Sequence, residues 1–110
     1  MSQTAPSAAS VTELAEALIA CPSVTPATGM VFDCLEQQLA PLGFEVARFV
    51  AGEAPDGPVE NLFAIRRGPE GSRHLAFAGH LDVVPPGGGW TSEAFEPEVR
   101  GELLYGRGAV

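Results

Sequence analysis

Lysine is absent from this chain of 110 residues, and six arginines stand against fourteen acidic residues, which gives a net charge of -8. Nucleic-acid binding requires basic side chains that neutralise phosphates, and an anionic membrane surface attracts basic segments. The charge balance therefore argues against nucleic acid and membrane as partners. Small cationic or zwitterionic molecules are compatible with it.

Cysteine is scarce, and long apolar runs and a secretory signal are missing. Cys21 and Cys34 are too few for a disulfide scaffold and form no C-x-x-C pair, so we predict two reduced, buried thiols. No apolar run approaches the ~20 residues that span a bilayer. Residues 1–10 lack the basic and apolar regions of a secretory signal. We expect a cytoplasmic protein in which residues 1–10 form a mobile tail.

Two helices are predicted in the first part of the chain. Ser10 and Glu13 form an S-x-x-E capping box, and apolar residues follow at helical spacing until Pro22. Residues 21–29 are rich in proline and small polar residues, which predicts a loop. A second helix is predicted over about residues 30–40.

Strand patterns follow the helices. Residues 44–50 alternate in the manner of a half-buried strand, and residues 61–67 are a second strand candidate. Residues 74–79 (HLAFAG) are almost continuously apolar, which predicts a strand buried on both faces. Residues 99–103 predict a hairpin turn. This order favours an α/β fold, a mixed sheet with helices packed on it, which we expect to be incomplete because no closing element precedes Val110.

His80 and Asp82 are the strongest candidates for chemistry. Side chains two residues apart in an extended segment point to the same side, so the two share a face after residues 74–79. A histidine binds zinc or cobalt through one ring nitrogen, while a carboxylate often holds the other N–H. An H-x-D pattern alone is weak, because it also describes an ordinary surface pair.

A longer pattern surrounds this pair. It consists of FAGHLDVVPPG at residues 77–87, Trp90, Phe95, Pro97 and LYGRGA at residues 104–109. In order and spacing it resembles the first signature block of the dinuclear zinc amidohydrolases and peptidases, which include aminoacylases, acetylornithine deacetylases and carboxypeptidase G. Pro-Pro-Gly at residues 85–87, with CPSVTP at 21–26 and ENLF at 60–63, is most similar to the branch that removes succinyl groups.

The resemblance implies roles for both residues. His80 would be a ligand of one metal ion, and Asp82 the catalytic-site aspartate that orients it. A complete site would hold two Zn²⁺ ions, with Co²⁺ possible at one, and would hydrolyse the amide of a small N-acyl amino acid. Residues 11–110 would be the N-terminal part of a zinc-peptidase-like catalytic domain. The other ligands, the general base and the domain that forms homodimers would follow Val110.

Three hypotheses for function stay open. The first is a desuccinylase, and the second is an acetylornithine deacetylase, an aminoacylase or a metallo-carboxypeptidase of the same family. The third is a non-catalytic fragment, because one histidine cannot hold a dinuclear site. The glycines at 87–89 and 106–108 lack the strand and helix frame of a phosphate loop. We expect Arg107 to brace the sheet or the loop after Asp82.

Overall fold

The computed structural model describes residues 10–55 and 57–109. Except for Ser10, the predicted tail of residues 1–10 lies outside the described residues. The elements in chain order are α1 (Val11–Ile19), α2 (Met30–Leu39), a 3₁₀ turn (Ala40–Leu42), β1 (Glu45–Ala51), β2 (Val59–Ile65), β3 (Glu98–Arg100) and β4 (Leu103–Tyr105). None of the helices in these ranges is long and apolar enough to cross a membrane.

Both predicted helices form. The Oγ of Ser10 accepts the N–H of Glu13 at 3.1 Å, so the cap that begins α1 is the one predicted. α2 begins after Gly29, whose φ of 68° lies in the left-handed region that favours glycine. It ends at Leu39, one residue before the predicted end, and continues into the 3₁₀ turn.

Both strands predicted after the helices form, but β2 begins and ends two residues before the predicted range of 61–67. β1 and β2 pair antiparallel, with Ala47 opposite Phe63 and Arg48 opposite Leu62. Val46 and Arg48 are half-buried while the residues between and beside them are exposed, which confirms the predicted alternation. β3 and β4 form a second antiparallel pair around the turn predicted over residues 99–103.

The core lies between the helices and the inner face of the first hairpin. Its buried residues are Cys21, Ala27, Val31 and Phe32, and Leu62 of β2 packs against them. Because two of the four belong to the loop between the helices, this loop is fixed from the inside. It therefore presents its exposed residues from a fixed backbone.

The thiol prediction is confirmed in part. Both cysteines are free, and Cys21 is buried, but Cys34 is only half-buried. Burial raises the pKa of the Cys21 thiol, with a further contribution from neighbouring Cys34. Cys21 is thus an inert core residue rather than a reactive thiolate.

The prediction of a buried strand over residues 74–79 is wrong for this structure. These residues have no regular secondary structure and are exposed, with Leu75 82% and Phe77 92% accessible. A strand buried on both faces needs neighbouring strands and covering layers, and none of the described residues supplies them. Residues 74–79 have the apolar composition of a buried strand, but the strands that would pair with them are not among the described residues.

The predicted mixed sheet is likewise not formed within residues 10–55 and 57–109. The four strands make two separate antiparallel pairs, β1 with β2 and β3 with β4. The parallel component is one isolated bridge between Val24 and Val83. The fold is a small mixed α/β unit without a closed sheet.

Candidate functional site

The structure brings His80 and Asp82 together. The Nδ1 atom of His80 lies 3.0 Å from the carboxylate Oδ1 of Asp82 and 2.8 Å from its main-chain oxygen. Since both partners are acceptors, this network requires the tautomer in which Nδ1 carries the proton and donates it. In the neutral ring the Nε2 atom then keeps a lone pair, on a side chain that is 81% exposed.

A bridge to the loop between the helices holds the segment that carries Asp82. The N–H of Thr25 donates to the carbonyl of Val83 at 2.9 Å, and the N–H of Val83 donates to the carbonyl of Ser23 at 2.8 Å. These two bonds flank the parallel bridge between Val24 and Val83. The position of Asp82 is thereby fixed relative to the core, although no regular strand precedes it.

Hydrogen bonds also set the charge of Asp82. The nearby Thr25 side chain, and to a smaller extent the bond from His80, hold the pKa of the Asp82 carboxyl below its ordinary value of 3.8. Partial burial opposes this shift but does not cancel it. Asp82 is therefore a carboxylate at neutral pH, the form that accepts the proton of the His80 ring.

Arg107 and Trp90 brace the loop that follows. The guanidinium of Arg107 donates from Nε to the carbonyl of Val84 at 3.1 Å and from Nη2 to that of Pro85 at 3.4 Å. The indole N–H of Trp90 donates to the carbonyl of Pro86 at 3.0 Å. The expected bracing role of Arg107 is confirmed, and its target is this loop.

An open cavity adjoins the pair. Its volume is about 1030 Å³, and it lies between β2 and the segment that leads to His80, with walls that include Phe32, Leu62 and Phe77. His80 and Asp82 are among its lining residues, and its walls on the side of the core are mainly apolar.

The pair fits one part of a metal centre. An imidazole whose Nδ1–H is held by a carboxylate and whose Nε2 is free is the usual form of a zinc-ligating histidine. Zinc in proteins needs about three or four protein ligands, however. Among residues 10–55 and 57–109, no group of three or more histidine, cysteine, aspartate or glutamate side chains is arranged to hold a metal ion. The described residues therefore supply one ligand and its partner.

Reasoning from the sequence missed Thr25 at this site. The CPSVTP segment contributed to the family resemblance, but nothing in its periodicity indicated that its main chain pairs with Val83, next to Asp82. Contacts between loops far apart in the chain leave no local pattern, so two residues at a spacing of two were predictable and the third was not.

The comparisons with known proteins give relatives of high similarity. The chain is 79% identical over 97 residues to the succinyl-diaminopimelate desuccinylase of Novosphingobium aromaticivorans, a match that covers 88% of this chain and 26% of that protein. It is 74% identical over 98 residues to the desuccinylase of Sphingopyxis alaskensis, over 89% of this chain and 26% of the relative. It is 64% identical over 98 residues to that of Rhizorhabdus wittichii, with the same coverage of 89% and 26%. No protein-family model matches the chain.

These relatives are homologues of the chain, and they confirm the resemblance to the branch that removes succinyl groups. The chain spans about a quarter of the length of the curated relatives it matches, with 26% of each of the first two covered. The match covers 88% of the chain, and any continuous stretch of that length includes residues 80 and 82. The pair thus lies inside the region of homology.

Proposed function

We propose that this chain is part of a succinyl-diaminopimelate desuccinylase, a metal-dependent amide hydrolase that releases succinate from N-succinyl-L,L-diaminopimelate in the biosynthesis of diaminopimelate and lysine. The observation that carries the proposal is the His80–Asp82 pair, bonded at 3.0 Å, within a segment homologous to proteins of that name. Because the chain spans about a quarter of these relatives, the activity belongs to the longer protein, to which this chain contributes two site residues.

The proposed roles follow from the hydrogen bonds. Zinc ions, with Co²⁺ possible at one position, would supply Lewis-acid activation when bound. His80 offers Nε2 as a ligand, and Asp82 holds the ring by its Nδ1–H, which fixes the tautomer and orientation of the ligand. The carboxylate charge of Asp82 also makes the imidazole a better donor to a cation. Arg107 and the 24–83 bridge keep this segment in place on both sides.

The wider setting is also proposed. The substrate is a small N-acyl amino acid, and the acidic chain with no lysine gives no support for nucleic acid or membrane as a partner. The complete enzyme acts in the cytoplasm as a homodimer, in which other parts of the longer protein form the dimer contact. The sibling activities on acetylornithine and other N-acyl amino acids are the alternatives for the substrate.

A second candidate of another class is that these residues alone are non-catalytic. The observation in its favour is that the described part of the chain offers no cluster of three metal-ligating side chains. Since zinc affinity depends on several converging ligands, the isolated residues would bind the ion weakly. This candidate concerns the chain by itself and agrees with a desuccinylase role for the longer protein.

The test uses the full-length protein that carries this segment. We expect His80→Ala to reduce the zinc content measured by mass spectrometry and to abolish succinate release, and Asp82→Asn to lower activity by about 10- to 100-fold. His74→Ala is the matched control, because His74 is the other histidine of the chain and lies outside the pair. Full zinc content and activity in His80→Ala would refute the site. Faster hydrolysis of N-acetylornithine than of the succinyl substrate would refute the proposed specificity.

A further inference from the structure

We propose that Arg107 is a positioning residue of this site. Its guanidinium holds one main-chain edge of residues 82–84, and the His80 ring is bonded to the same edge. The consequences for catalysis rest on the proposed function, whereas the positioning itself can be measured without a metal ion.

The first edge of the segment after the candidate histidine is bonded through main-chain atoms. Val83 donates its N–H to the carbonyl of Ser23 at 2.8 Å and accepts the N–H of Thr25 at 2.9 Å. Both main-chain groups of Val83 therefore face the loop between the helices. In an extended chain, the main-chain groups of the residues on either side point to the opposite edge. Asp82 and Val84 thus present their carbonyls to the second edge, away from this loop.

The second edge is bonded by side chains. The main-chain oxygen of Asp82 lies 2.8 Å from Nδ1 of His80. The carbonyl of Val84 accepts Nε of Arg107 at 3.1 Å, and the carbonyl of Pro85 accepts Nη2 of the same guanidinium at 3.4 Å. Arg107 thus takes a position that a neighbouring strand occupies in a sheet. The imidazole ring and the guanidinium bind the same edge of the chain, two residues apart.

The sequence of the loop explains why side-chain donors hold it. Residues 85 and 86 are prolines, which have no N–H, so this part of the chain offers only carbonyls. The three glycines at 87–89 have no side chains that could pack and hold the loop. A guanidinium carries several N–H donors in one fixed plane, so it can bond two neighbouring carbonyls at once. Arginine is therefore the residue type that suits the carbonyls of residues 84 and 85.

Close packing fixes the backbone from which Arg107 extends. A Cβ at Gly106 would lie 2.5 Å from Cγ2 of Ile19 in α1. A Cβ at Gly108 would lie 3.1 Å from Cγ1 of Val83. The residues on both sides of Arg107 thus lie directly against the first helix and against the paired segment. A guanidinium presented from such a backbone has few alternative positions, which is what a positioning group requires.

Loss of the guanidinium would leave the segment bonded on one edge only. Val83 would keep its two bonds to the loop between the helices, but the chain beyond it would be free to turn about that edge. The bond between the Asp82 carbonyl and the His80 ring lies on the edge that loses its support. We therefore expect the ring to lose its single orientation and the fixed proton on Nδ1.

The experiment compares two substitutions in the full-length protein. Arg107→Met keeps a long side chain without a donor, whereas Arg107→Lys keeps a donor group without the planar fork. In zinc-free protein labelled with ¹⁵N-histidine, at a pH where the ring is neutral, the His80 signal is assigned by its loss in His80→Ala. We expect the proton on Nδ1 in the wild type, a mixture of the two tautomers in Arg107→Met, and an intermediate fraction in Arg107→Lys.

The consequences for the metal and the reaction are measured on the same variants. Arg107→Met should weaken zinc binding, measured by competition with a chelator, and lower kcat by about 10-fold with little change in KM, because the guanidinium acts through the histidine and not on the substrate. Arg107→Lys should recover part of both. Arg67→Met is the matched control and should behave as the wild type, since Arg67 is 71% exposed and lies 3.9 Å from its ion-pair partner.

The outcomes separate the two proposals. If the tautomer of His80 is the same in all variants, or if Arg107→Lys is as impaired as Arg107→Met, Arg107 is not a positioning residue. Should Arg107→Met fail to fold, the tautomer in Arg107→Lys against that in the wild type decides the same question. If the tautomer changes as expected but the wild type neither binds zinc nor releases succinate, the positioning stands and the proposed function fails.

Discussion

Arg48 shows how single side chains connect the elements of this chain. From β1 it donates to Glu60 of β2, with Nη2 3.1 Å from Oε2, and it forms an ion pair with Asp33 of α2. Glu60 also accepts the N–H of Gly29 at 2.8 Å, directly before α2. The beginning of α2 is thereby joined to the hairpin through a carboxylate and a guanidinium, both of which are half-buried. Because water is partly excluded from both groups, the removal of either one would leave the other without its partner.

A pH dependence follows from Glu60. The N–H of Gly29 and then Arg48 hold the pKa of the Glu60 carboxyl below its ordinary value of 4.5. A lowered pKa in the folded state contributes stability above pH 4.5, and the contribution is lost as pH falls through the lowered value. We expect Glu60→Gln to have a lower urea midpoint than the wild type at neutral pH. The gap should close as the pH is lowered through this range.

The control for this prediction is Glu102→Gln, in the exposed turn between β3 and β4. It should leave the urea midpoint close to that of the wild type at every pH. A gap between Glu60→Gln and the wild type that stays constant into acid would show that the charge of Glu60 contributes nothing.

At the scale of elements, α2 is held by its inward side chains. Val31 is 2% exposed in the core cluster, whereas Val11, at the beginning of α1, is 87% exposed. We expect Val31→Ala to lower the free energy of unfolding by about 2 kcal/mol, because it removes two buried methyl groups and leaves a cavity. Val11→Ala is the matched control and should be within about 0.5 kcal/mol of the wild type. Urea titrations followed by circular dichroism measure both, and equal effects would contradict the observed packing.

Elements with local signals were predictable from the sequence. The beginning of α1 follows from Ser10 and Glu13 alone, and β1 follows from its alternation. The turn between β3 and β4 contains Gly101 at a φ of 62°, a conformation that glycine adopts without strain. In each case the residues that determine the structure are neighbours in the chain.

Elements that depend on distant partners were not predictable in the same way. Residues 74–79 have the composition of a central strand, yet an apolar run becomes a strand only when other strands pair with it. The bridge between Val24 and Val83 joins two loops that no periodicity connects. The site divides in the same way. The spacing of His80 and Asp82 predicted their contact, whereas the pairing of Thr25 with Val83 is visible only in the folded structure.

At the scale of the whole molecule, two features oppose each other. Leu75 and Phe77 form a contiguous exposed apolar segment, which favours association between copies of the chain. The net charge of -8 repels the copies from each other. Salt weakens only the second effect, since the screening length falls from about 10 Å at 0.1 M to about 3 Å at 1 M.

We therefore expect the 110-residue chain to associate more strongly as salt is raised, as sedimentation velocity would show. Replacing Leu75 and Phe77 together by serine should abolish this association, because it removes the apolar contact while the charge is unchanged. The matched control replaces Val11 and Met30 together by serine. Both residues are exposed on the helices, and this change should leave association intact. If the control suppressed association equally, general surface hydrophobicity would be the cause. If salt had no effect on the wild type, the charge would not be what keeps the copies apart.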